Sequence, residues 1–177
     1  LEFGTDKPDL RNPLRIIDLS EFFGRCSFKP FQNKTVRAIR IHGQQSKGFH
    51  EKMLKFAMDI GMAGLGYLEV QEDLSYKGPI DKFIPNELKA ELRVLAGLEK
   101  DDTIFFIADK EERAAVLAGQ IRSELGSRLE ICEKNAYRFC FVNDFPMFER
   151  DPQTRQIGFT HNPFSMPQGG LAALETK

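Results

Sequence analysis

The sequence predicts an α+β fold: a two-layer β-β-α-β-β-α sandwich in which two helices cover one face of a mostly antiparallel four-stranded sheet. Three observations predict it. Phe49, Met53, Phe56 and Ile60 recur at spacings of four, three and four, and Ala114, Leu117, Ile121 and Leu125 repeat at helical spacing, which makes two amphipathic helices. Apolar runs at 26–31, 35–41, 66–70 and 103–108 have strand length. Read in order, and leaving out one further helix as an insertion, these segments give the stated element order over residues 25–125.

The first dozen residues, LEFGTDKPDLRN, are polar and without a period, so they read as an extended leading segment. Ser20 is placed to cap a short helix through Phe23, ended by Gly24. In the 35–41 strand Arg37, Ile39 and Ile41 share one face and Val36, Ala38 and Arg40 the other; Gln32-Asn33 before it suits a hairpin turn. The Phe49–Ile60 stripe belongs to a core, because burying each large side chain is worth about 1.5–3 kcal/mol. Gly61 offers a left-handed stop. Residues 86–96 form the inserted helix, with Leu88, Leu92 and Leu95 on one face and Gly97 as its stop. The 103–108 run is apolar on both faces and therefore central. Asp109, three residues before Glu112, reads as the cap of the last helix.

Beyond a polar linker at 126–135 the pattern changes. Tyr137, Phe139 and Phe141 alternate with Arg138, Cys140 and Val142, a strand that Pro146 confines to an edge or a bulge. Asp151 to Thr154 reads as a turn, and 156–161 as a returning strand. A lone two-stranded hairpin is marginal in water, so it needs a larger sheet. The chain divides accordingly into 1–24, 25–125 and 126–177.

Composition excludes several classes. With 41% hydrophobic and 29% charged residues, disorder is not expected. The longest apolar run, 104–108, falls far short of the roughly 20 residues a membrane helix needs. Cys26, Cys132 and Cys140 are odd in number and follow no ligand spacing, which reads as reduced thiols in a cytoplasmic protein. The net charge of −1 hides a local excess: residues 29–55 carry seven Lys/Arg against the single acid Glu51. A polyanion such as RNA would feel that segment if the charges share a face.

Candidate sites are few. Gly61, Gly64 and Gly66 are spaced GxxGxG after a helix and before a strand, the wrong order for a dinucleotide loop. His42 and His50 lie eight apart without acids or cysteines at ligand spacing, so no metal site is expected. His161, alone before an Asn-Pro step, ends the returning strand.

Several segments in their order resemble bacterial-type aspartyl-tRNA synthetases. FGTDKPDLRNPL (3–14) is similar to the passage from that family's catalytic domain into its inserted GAD domain. IGMAGLGYLEVQED (60–73) and DDTIFFIADK (101–110) are similar to stretches inside that domain, and DFPMFE (144–149) and HNPFSMP (161–167) to the return into the catalytic domain. The resemblance implies a GAD insertion domain flanked by pieces of the antiparallel sheet of a class II synthetase. It implies a parent ligase that joins L-aspartate to tRNA through an aspartyl-adenylate, using ATP and Mg2+, as a homodimer. His161 is implied in L-aspartate binding, and an imidazole suits that task by donating hydrogen bonds to a carboxylate. Many relatives carry a second histidine where Asn162 stands, so position 162 receives no role. The family's ATP-binding signature motifs do not occur here. No catalytic, cofactor-binding or metal residue is therefore expected in the chain, and alone it is expected to be inert. The alternative is a non-catalytic tRNA-contacting module of the kind found in the B subunit of tRNA-dependent amidotransferases.

Overall fold

Residues 103–107 are buried without interruption, and the strand they form is the middle of the sheet. In the structure, a computed structural model, residues 2–142, 148–151, 153–159 and 169 are described. Two compact units are present, Leu1–Phe139 and Cys140–Lys177.

In the first unit the elements run β1 (Ile16–Asp18), α1 (Ser20–Gly24), β2 (Thr35–Ile41), α2 (Lys47–Asp59), β3 (Gly66–Val70), β4 (Tyr76–Lys77), α3 (Asn86–Ala96), β5 (Thr103–Asp109) and α4 (Glu111–Arg128). The sheet order is β1-β2-β5-β3-β4, and every neighbouring pair is antiparallel. The expected antiparallel sheet is present, with five strands in place of four. Two strands went unread, β1 and β4, each too short to show a period. Residues 26–31, expected as a strand, instead make a turn that closes in a 3-10 helix at Lys29–Phe31. Pro30 has no N–H to give a ladder, and Phe31 N donates back to Phe28 O at 2.9 Å.

Both faces of the sheet are covered. On one, Val36, Ala38, Leu68, Ile104 and Phe106 pack with Phe22 and Phe23 of α1, Phe31, and Leu92 of α3. On the other, Ile39, Ile41, Phe105 and Ile107 pack with Met53 of α2 and Leu117, Ile121 and Leu125 of α4. The helix read as an insertion is thus a structural layer, and the two-layer expectation becomes three layers. The cause is in the strands: Thr103 to Ile107 are buried at every position, so neither face tolerates water.

Helix ends follow local chemistry. Ser46 Oγ accepts from Phe49 N at 3.2 Å to open α2. Gly61 and Gly97 have φ of 87° and 58°, the left-handed stops that were expected. Asp109 does not cap α4: the N-cap is Lys110, and Asp109 Oδ1 accepts from Lys110 N at 2.8 Å. Ser20 likewise lies inside α1 with Leu19 at the N-cap; its hydroxyl donates to Asp18 Oδ1 at 2.6 Å.

The second unit holds a hairpin, β6 (Phe148–Arg150) paired antiparallel with β7 (Ile157–Phe159). Asp151 Oδ1 accepts from the amides of Gln153 and Thr154, both at 2.7 Å, and so organises the turn expected there. Residues 137–142, expected as a strand, have no strand partner among the described residues, and Tyr137, Phe139 and Phe141 are about nine-tenths exposed. An alternating pattern becomes a strand only when a sheet edge pairs with it.

Candidate functional site

The basic stretch at 29–55 separates into two populations. Arg37 is buried and ion-paired with Asp18, while Arg40 donates to Gly97 O and lies 3.6 Å from Asp102. Those two arginines hold the sheet to its surroundings. Lys47 pairs with Glu51 at 3.7 Å along α2. Lys29, Lys34, Lys52 and Lys55 are exposed and form no ion pair among the described residues. Four lysines, not seven cations, are therefore exposed without an ion pair among the described residues.

The two described histidines face different carboxylates. His42 Nδ1 is 2.8 Å from the buried Asp102, and its Nε2 is 3.2 Å from the Arg40 guanidinium. An arginine can only donate, so Nε2 accepts and the proton sits on Nδ1 toward Asp102. His50 is buried, with Nε2 2.9 Å from Glu69 and its ring stacked on Tyr67 at 3.8 Å and 9°. No group of three or more His, Cys, Asp or Glu among the described residues is placed to hold a metal ion. The sequence reading missed His50 because it followed Phe49 along α2. The signal was available: His50, Met53 and Ala57, at spacings of three and four, are the residues α2 buries.

A third arrangement joins the leading segment to α4. Arg122 is 1% exposed, and its guanidinium donates to Leu14 O at 2.7 Å, Asn12 O at 2.6 Å and Asp9 O at 3.0 Å. Asn12 answers by donating to Arg122 O at 2.9 Å and accepting from Leu14 N at 3.0 Å. Gly119 and Gly126 flank Arg122 on the same helix face. A Cβ at Gly119 would sit 2.9 Å from Gly4 O, and one at Gly126 only 2.2 Å from Asn12 Nδ2. The helix is stripped of side chains where the segment crosses it. Burial pushes the Arg122 guanidinium below its ordinary pKa, a cost its three carbonyl partners offset. Beside it the Arg11 guanidinium hydrogen-bonds Asp9 and lowers that carboxyl to about 2. Glu133 N donates to Arg11 O at 3.1 Å, so the segment leading into the unit and the one following α4 run side by side. Sequence reading missed this neck: it placed residues 1–24 outside the core span and gave Arg122 no role.

In the hairpin unit Phe148 packs across the strands against Phe159, with ring centroids 4.9 Å apart and the planes tilted by 39°. His161, the one residue assigned to substrate from sequence, lies outside the described residues. Asn162 lies outside them too.

A family model described as the GAD domain matches residues 29–118, just over half of the chain. Curated relatives extend the similarity through both flanks. The aspartate–tRNA(Asp/Asn) ligase of Rickettsia bellii (strain OSU 85-389) is 42% identical over 182 residues, covering 99% of this chain and 30% of the relative. That of Ehrlichia chaffeensis (strain Arkansas) is 42% identical over 184 residues, covering 100% of this chain and 31% of the relative. That of Rickettsia felis is 43% identical over 182 residues, again 99% and 30%. The chain thus spans about 30% of the length of these relatives. The matched stretch runs from the 3-10 turn at Lys29–Phe31 through the sheet and into α4, and on that ground the chain belongs to the GAD domain family.

Proposed function

We propose that this chain is a segment of an aspartate–tRNA ligase: the GAD domain inserted into a class II catalytic domain, with residues leading from and returning to that domain on either side. The observation that carries the reading is similarity at 42% identity across 99% of the chain to proteins named as such ligases. The neck supports it, since a hydrogen bond between Glu133 and Arg11 sets incoming and outgoing segments together, as an insertion requires. The hairpin supports it as well. Phe148, Ile157 and Phe159 are half or more exposed on two strands of three residues each, which suits pairing with a larger antiparallel sheet.

In this reading the chemistry belongs to the longer protein. ATP and Mg2+ are assigned to its other parts. The adenylate is made there, and tRNA and L-aspartate are the partners of a homodimeric, cytoplasmic enzyme. This chain's contribution to substrate is His161, whose imidazole donates a hydrogen bond to an aspartate carboxylate. A neighbouring anion favours the charged imidazole, which strengthens that bond. The reading as a tRNA-contacting helper rests on Lys29, Lys34, Lys52 and Lys55 alone and is the weaker of the two.

The test is His161→Ala in the full-length protein. A hydrogen bond to a charged ligand is worth about 1.5–3 kcal/mol, so KM for aspartate rises at least tenfold while KM for ATP stays within twofold. Unchanged aspartate kinetics removes His161 from the site.

A further inference from the structure

A cavity of about 600 Å3, within the size range of small-molecule sites, opens beside the 3-10 turn and is used by nothing described above. Five of its seventeen lining residues are aromatic. Phe28 lies 4.7 Å from Phe31 and 4.4 Å from Phe83 between ring centroids, and Phe106 of the central strand also lines the space. Leu54 of α2 and Met62 complete an apolar interior. Leu54 is 40% exposed. The backbone is cut back as well: a Cβ at Gly66 would sit 2.9 Å from Ile80 Cδ1, so a side chain there would displace the Ile80 tip.

Charge on the lining has one sign. Lys34 and Lys82 are its only charged residues, and no Asp or Glu lines the cavity. Both are exposed and neither forms an ion pair among the described residues. Lys82 Nζ is 5.0 Å from the Phe83 ring centroid, which places its ammonium over an aromatic wall residue. The polar side-chain groups of the lining are those two ammoniums and the Tyr67 hydroxyl. A nucleobase would bury several donors and acceptors with few side-chain partners, at a cost of about 1–3 kcal/mol each. A body without hydrogen-bonding groups carries no such cost.

We propose that this cavity binds a small amphipathic monoanion, an acyl or aryl carboxylate, with its apolar body among Phe28, Phe31, Leu54 and Phe83 and its head group against Lys34 and Lys82. The inference does not depend on the ligase reading, because every group it uses lies among this chain's own described residues.

The test titrates the complete chain with decanoate and, separately, with decanol, following the 13C methyl signals of Leu54 and Met62. Val94 and Val116, exposed apolar residues that do not line the cavity, serve as controls. Decanoate is expected to shift Leu54 and Met62 saturably with one-to-one stoichiometry and to leave Val94 and Val116 in place. Decanol is expected to bind about tenfold more weakly, the loss of one charge-assisted hydrogen bond. The double variant Lys34→Gln/Lys82→Gln, altered only at exposed positions, is expected to hold decanoate no better than decanol. Equal affinity for decanol and decanoate would mean a plain apolar docking face and would overturn the proposal. So would shifts concentrated at Val94 and Val116, or no saturable shift.

Discussion

Replacing Arg122 with Met tests whether the neck is a structural clamp. Met fills a similar space without charge, so the substitution removes the donors and little of the packing. Three hydrogen bonds from a charged donor are lost, to Leu14 O, Asn12 O and Asp9 O. Such bonds are worth about 1.5–3 kcal/mol each, but they do not add: the segment can lift from α4 and return its carbonyls to water. Part of the gross gain is also cancelled by burying the guanidinium, the same burial that lowers its pKa. The net loss is about 3 kcal/mol. In a domain of this size 1 kcal/mol moves Tm by about 2–4 °C, so Arg122→Met lowers Tm by roughly 10 °C. Hydrogen exchange locates the damage. The amide of Leu14, bonded to Asn12 Oδ1, and that of Ile16, bonded to Glu2 O, lose protection before those of β5. A Tm within about 2 °C of the parent, with Leu14 and Ile16 equally protected, would refute the clamp.

Two glycines in helices should respond oppositely to alanine. Gly48→Ala in α2 meets nothing nearer than Ser46 Oγ at 4.0 Å and gains stability by up to about 1 kcal/mol from helix propensity. Gly119→Ala puts a Cβ against the backbone of Gly4 and Phe3 and loses about 1–3 kcal/mol, read as opposite Tm shifts in the same experiment. The neck also has a pH signature. The folded-state pKa of Asp9 is depressed from 3.8 to about 2, chiefly by hydrogen bonds from the Arg11 side chain, so its stabilisation is full above pH 3.8 and lost as pH falls through about 2. A carboxyl-carbon titration of Asp9 with its midpoint near 3.8 would contradict that contact.

Segments with strong periodicity and clear stops were legible in the sequence. The helix at 86–96 has the bounds that Leu92 and Gly97 imply, and β5 is central because its apolar residues occupy both parities. What sequence could not fix was the role of α3. Leu92 says that one face is buried and not which layer it meets, and only the two-sided burial of β5 reveals that a second cover is needed. The 26–31 run misled because Phe28 and Phe31 look strand-like while Pro30 forbids the ladder. Arg122 was opaque for a different reason. Its partners are main-chain carbonyls about 110 residues away, which carry no side-chain pattern. The one residue proposed to meet substrate, His161, came from resemblance to a family and from no spacing in the chain itself.

The claim on which the functional account rests is that this chain is part of an enzyme that activates aspartate elsewhere in its length. Aspartate-dependent exchange of pyrophosphate into ATP measures that step directly. The full-length protein is predicted to show exchange with L-aspartate, and the 177-residue chain alone none. Exchange by the isolated chain, or none by the full-length protein with aspartate, ATP and Mg2+ present, would contradict it.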